Sequence, residues 1–106
     1  MVDGIEFHSE KEGRRYRELK MLQRAGEISE LRLQEPYELI PHQKVRDPMT
    51  GKMVTERSVR YVADFVYVDK RSGRTVVEDT KGFRTPEYRL KRKLFLWRYG
   101  IPITET

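Results

Sequence analysis

The chain has 106 residues, 37% of them apolar and 37% charged, with a formal net charge of +5; its mean hydropathy is −0.80. That length supports one modest core and implies a single domain over 1–106. No apolar run approaches the roughly 18 residues of a membrane span and the start carries no signal-peptide pattern, so no membrane partner is expected.

The first element reads as a helix over about 9–25: Ser9 is a candidate N-cap with Glu12 three residues on, Tyr16, Leu19 and Leu22 recur at helical spacing, and Gly26 supplies a stop. Glu12, four residues before Tyr16, projects from the buried side of this helix at its first turn. Residues 31–34 and 37–40 read as a strand interrupted by Pro36, near an edge of the sheet. Residues 47–52 form a turn cluster. From 57 to 68 the chain is β-rich and too apolar at its centre for a one-sided sheet. A second turn at 70–74 leads to a third strand over 75–81, and the short loop implies a hairpin that sets Asp64 beside Asp79. A last helix starts at Pro86 and runs to about Tyr99 before Gly100, with Leu90, Leu94 and Trp97 as its apolar stripe. Residues 101–104 supply a short closing strand. The order is αβββαβ, an α/β domain with a mixed sheet of three to four strands flanked by helices.

Zero cysteines remove disulfides, thiolate metal sites and cysteine nucleophiles, and His8 and His42 are too few for a histidine-rich centre. A metal site in this chain is therefore built from oxygen ligands, which suits Mg²⁺, Mn²⁺ or Ca²⁺. Asp64 lies inside the apolar run 62–68, where a charge is costly without a partner. Asp79 and Lys81 leave one face of their strand by alternation, Glu78 and Thr80 the other. Glu78 competes with Asp79 as the acid, and its place opposite Lys81 favours Asp79. Two acids and a lysine converging from neighbouring strands suggest a divalent-cation site.

The order and spacing of these residues resemble the PD-(D/E)xK nuclease superfamily, whose pattern is an acid on one strand, a (D/E)-x-K triplet on the next and a helix-borne glutamate upstream. Asp64 matches the first acid, with Ala63-Asp64 in place of the frequent Pro-Asp; Asp79-Thr80-Lys81 matches the triplet; Glu12 matches the helix glutamate. Ser9-x-x-Glu12 and a glycine after the triplet, Gly82, resemble the small phage and transposon branch, which includes Holliday-junction resolvases of the endonuclease I type. The chain is also similar to a phage-encoded family of about this length known as a domain of unknown function. The resemblance implies a restriction-endonuclease-like core, a Mg²⁺- or Mn²⁺-dependent endodeoxyribonuclease, metal ligands Asp64, Asp79 and Glu12, a catalytic Lys81, branched or duplex DNA as partner, a homodimer if two junction strands are cut, and the cytoplasm, that of the host for a phage protein.

Positive charge falls in two blocks flanking the acids, and a sequence pI near 9.6 suits a polyanionic partner. Arg14, Arg15 and Arg17 on the first helix, and Lys91 and Lys93 on the last, are the candidate phosphate contacts. There is no helix-turn-helix, zinc finger or RNA-stacking signature, so recognition through backbone charge and DNA shape is expected. Duller readings stand beside these. Ser9-x-x-Glu12 is also a capping box, Asp64 an acid for an arginine partner, and Asp79 with Lys81 an ion pair. Gln34 is a candidate to line the site but reads more readily as an edge-strand polar residue, His8 and His42 as surface, and Tyr88, Phe95 and Trp97 as core. The rival function is a basic nucleic-acid-binding protein without catalysis.

Overall fold

The computed structural model describes residues 2–80 and 84–106, so the expectations resting on Lys81 and Gly82 fall outside the described residues. The elements in order are α1 (Glu10–Arg24), β1 (Ile28–Ile40), β2 (Gln43–Arg46), β3 (Met53–Glu56), β4 (Val59–Asp69), β5 (Thr75–Asp79), α2 (Pro86–Tyr99) and β6 (Thr104–Glu105). The fold is α/β: a four-stranded mixed sheet in the order β1-β4-β5-β6, with β5 and β6 parallel and the other pairs antiparallel.

Local chemistry explains the element ends. Ser9 accepts from the Glu12 N–H at 3.1 Å and so caps α1, while Thr85 caps α2 by accepting from Tyr88 at 3.1 Å, with Pro86 in the first turn. Gly100 ends α2 at φ 71°, a left-handed conformation that costs a side-chain-bearing residue energy. Pro36 does not interrupt its strand. It pairs with Val62 inside a continuous β1, which lies at the sheet edge where a missing N–H is tolerated.

Two apolar clusters hold the helices on opposite faces. Tyr16 and Leu19 of α1 pack with Ile28, Phe65 and Tyr67; Tyr88 and Phe95 of α2 pack with Leu39, Tyr61, Ala63, Val66 and Val77. Phe65 and its neighbour Val66 sort into different clusters. The expected stripe of α2 is corrected here. Phe95 and Tyr88 face the core and Leu94 lies partly buried, whereas Leu90 and Trp97 are exposed, Trp97 by 81%. Burial of Tyr88 and Phe95, seven residues apart, turns the helix so that Trp97 points outward.

Two features were absent from the sequence-based layout. Residues 43–56 form a hairpin of their own, β2 against β3, in place of a bare turn. Alternation also breaks along β1: Leu31 and Leu33 pack on the α1 side, yet Tyr37 and Leu39, of the same parity, pack on the α2 side. Between them Gln34 takes φ 51°, a left-handed conformation costing a non-glycine residue on the order of 1–2 kcal/mol. β4 switches sides at the same level, with Tyr61 and Ala63 on the α2 side and Phe65 and Tyr67 on the α1 side.

Candidate functional site

The β4–β5 hairpin is closed by a tight turn. Asp69 accepts from the Ser72 hydroxyl and N–H at 2.7 and 3.1 Å, which hold its carboxyl below the usual range, and Gly73 adopts φ 72°. The register from Val68↔Thr75 to Phe65↔Glu78 makes Asp64 and Asp79 the next opposing positions. β6 steadies the end of β5, because the Thr106 N–H donates to the Asp79 carbonyl at 3.0 Å. Glu105 of β6 in turn accepts from Arg84, Arg92 and Tyr88. Burial raises the Glu105 carboxyl, but those hydrogen bonds and the arginine charges outweigh it and hold it low.

Glu12 enters from the first turn of α1 and is only 4% exposed. Its carboxylate accepts from Gln34 Nε2 at 2.9 Å, and the same nitrogen donates to Asp64 Oδ1 at 3.3 Å. The left-handed turn at Gln34 thus puts an amide between two carboxylates. Gln34 belongs to the site rather than to the solvent edge alone. A polar residue beside a run of edge-strand apolar residues was the sole sequence signal for it, and the strand break that aims it has no sequence signature.

Asp64 Oδ2 accepts from the Thr80 N–H at 2.8 Å and the Thr80 hydroxyl at 2.9 Å. This corrects the expectation that Thr80 leaves with Glu78. Since β5 ends at Asp79, alternation no longer governs Thr80, and it turns onto Asp64. Asp79 is 1% exposed and accepts from the Tyr61 hydroxyl at 2.6 Å. Burial, then the bond to Asp79, push that phenol far above its ordinary range, so it stays a donor.

Glu12, from α1, therefore feels the charges of Asp64 from β4 and Asp79 from β5. Burial raises the Glu12 carboxyl above its ordinary value; Asp64 raises it further, His8 pulls it down, and Asp79 adds to the rise. Burial is the larger cause, and neighbouring negative charge adds to it. Glu78 has a different fate. It is fully buried on the α1 face, receives two bonds from Arg15 at 2.8 and 2.7 Å, and accepts from Tyr67. A closed, doubly donated carboxylate is a structural anchor.

The basic candidates separate likewise. Arg15 is engaged by Glu78 and Glu18, which leaves it little for a phosphate. Arg14 and Arg17 are exposed and line a groove of about 540 Å³ with His8 beside the start of α1; the acids do not line it. Lys91 pairs with Glu87 at 3.2 Å and borders a groove of about 300 Å³ next to Tyr61 and Tyr88. Lys93 is exposed, and so is His42.

The donor set suits a hard divalent cation: three carboxylates, no sulfur, and an amide oxygen available if Gln34 rotates. Among the described residues no three acidic or histidine side chains already surround one point. Gln34 donates to both Glu12 and Asp64, and Tyr61 donates to Asp79. Mg²⁺ takes only one or two carboxylates and keeps its waters, so the residues fit it without a preformed cage.

The chain belongs to a family described as "Protein of unknown function (DUF1064)", whose model matches residues 1–102. No curated protein and no solved structure matches it.

Proposed function

We propose that this DUF1064 protein is a divalent-metal-dependent DNA endonuclease that hydrolyses phosphodiester bonds, acting on branched DNA such as a four-way junction or on DNA without sequence preference. One observation carries the reading: buried Glu12 and Asp79 and half-buried Asp64 come from three elements, and burial, with the charges of Asp64 and Asp79, raises the Glu12 carboxyl above its ordinary value. A fold gains nothing in stability from such crowding, and a dication relieves it.

In this reading Asp64 and Asp79 hold Mg²⁺ or Mn²⁺, with Glu12 completing the site. A bound ion would supply an acidified water and charge neutralisation on the phosphate and the leaving oxygen. The chain's own contribution is placement. Thr80 fixes one oxygen of Asp64, Tyr61 fixes one of Asp79, and Gln34 sets the spacing of Glu12 from Asp64. Lys81, two residues past Asp79, is the candidate to orient or deprotonate the attacking water, a role compatible with lysine's readily shifted pKa. Arg14 and Arg17 on α1, and Lys91 and Lys93 on α2, are the candidate phosphate contacts. Cutting both strands of a junction calls for a homodimer, and such an enzyme works in the cytoplasm.

The test is cleavage of labelled four-way junction, flap, duplex and single-stranded DNA with Mg²⁺, Mn²⁺ or EDTA. Asp79→Ala and Asp64→Ala abolish metal-dependent cutting while DNA binding in EDTA persists. Full activity in Asp79→Ala refutes the site. Salt-sensitive binding with no product under any metal moves the protein to the class of non-catalytic binding proteins.

A further inference from the structure

The β2–β3 hairpin is the extension of a longer ribbon. Ile40 pairs with Val59, and Gln43↔Glu56 through Arg46↔Met53 continue in that same register beyond Pro41 and His42. Every residue of β2 and β3 is exposed, and these strands form a two-stranded sheet separate from the main one. The arm makes the molecule long: its principal extents are 59 × 30 × 23 Å and its radius of gyration is 17.3 Å, against roughly 13 Å for a compact domain of this length.

A bare two-stranded ribbon is marginally stable in water, and its two faces differ. Opposed residues share a face, so Lys44 and Arg46 lie on one with Thr55 and Met53, while Val45, Val54, Gln43 and Glu56 lie on the other. The first face carries two cations and no acid. Arg46 is held in place by donating to the Gly51 carbonyl at 2.6 Å, and Lys52 and Arg57 add charge at the tip and base. Lys44 sits opposite Thr55, nine residues along the ribbon from Asp64, or about 30 Å at about 3.3 Å per residue. That is close to one turn of B-form duplex, about 34 Å.

We propose that the β2–β3 arm is a DNA-gripping ribbon that lies in the major groove about one helical turn from the acid site, with Lys44 and Arg46 on flanking phosphates. The major groove, about 12 Å wide, admits a two-stranded ribbon. The inference rests on the nuclease reading for its choice of partner. A second copy of the chain, docked on the valine face, is the competing occupant.

Two variants test it. Lys44→Gln/Arg46→Gln changes exposed side chains only. The second replaces 41–58 with Asn-Gly, joining Ile40 to Val59 where they already pair, as a two-residue hairpin loop allows. Binding of a fluorescein-labelled duplex of about 30 bp is read by anisotropy in EDTA across a KCl series, with light scattering for mass. The expected result is roughly tenfold weaker binding at 0.1 M salt and a salt slope shallower by about 1.8, since each phosphate contact contributes about 0.9. Both variants binding as wild type at every salt overturns the inference, even if wild type cuts DNA with Mg²⁺. Loss of dimer mass in the deletion with unchanged DNA affinity also overturns it, in favour of the second copy. Wild type that fails to bind DNA removes this inference and the nuclease reading together. Arm-dependent binding without cleavage leaves the arm in place and removes the nuclease.

Discussion

Glu12→Gln separates stability from function at the acid corner. The Glu12 and Asp64 oxygens lie 2.9 and 3.3 Å from one Gln34 nitrogen, so those oxygens stand within about 6 Å of each other and the charges repel by roughly 3 kcal/mol at an effective dielectric near 20. A neutral side chain removes the repulsion and weakens the bond from Gln34, at a cost of about 1 kcal/mol. The metal-free variant is then more stable by about 1–2 kcal/mol, which for a domain of this size raises Tm by about 5–9 °C. Because the folded-state value of Glu12 lies above its ordinary 4.5, the folded protein holds that proton more tightly than the unfolded chain. Its stabilising contribution is complete below about 4.5 and is lost as pH rises through the folded value. Melting curves in EDTA from pH 4 to 8 therefore show wild type and Glu12→Gln close together in acid and diverging, variant higher, toward pH 8. Added Mg²⁺ raises the wild type more than the variant, by mass action on the folded state. A variant that melts below wild type at pH 8 in EDTA, or a gap independent of pH, refutes the charge-crowding account. Equal gains from Mg²⁺ would remove Glu12 from the ligand set.

Arg15→Met leaves the fully buried Glu78 without its two guanidinium bonds, and breaking such a pair costs about 3–5 kcal/mol; thermal melts should fall by more than 10 °C, while Arg14→Met and Arg17→Met leave Tm nearly unchanged. Urea titration should show Phe95→Ala losing about 3–5 kcal/mol, whereas Trp97→Ala, at an exposed position, stays within about 0.5 kcal/mol of wild type. Equal losses in these two would mean that α2 packs with the stripe expected from its sequence.

Local rules carried the elements a long way. Ser9, Pro86 and Gly100 mark helix ends because caps are satisfied within one turn, and the 70–74 turn opposes Asp64 to Asp79 because a short hairpin loop leaves little freedom of register. Helical spacing from Tyr16 and Leu19 also placed Glu12 on the buried side of α1. Apart from the local β2–β3 hairpin, what failed were readings that depend on partners distant in sequence. Leu90, Leu94 and Trp97 form an apolar stripe as good as the one α2 uses; Phe95, packed edge-on against Tyr37 and Tyr61, decided which side turned inward. Arg15 looked like its neighbours Arg14 and Arg17 until Glu78, 63 residues away, claimed it. Gln34 and Thr80 joined the site through a left-handed residue and a strand end, local breaks in alternation that periodicity averages over. Sequence by itself determined both helices, the β4–β5 hairpin and the order of the acids, though not the β2–β3 hairpin, since these follow from nearest-neighbour backbone preferences. Tertiary structure alone decided which polar groups surround each acid, because one buried face selects among side-chain directions that the isolated segments hold at nearly equal energy.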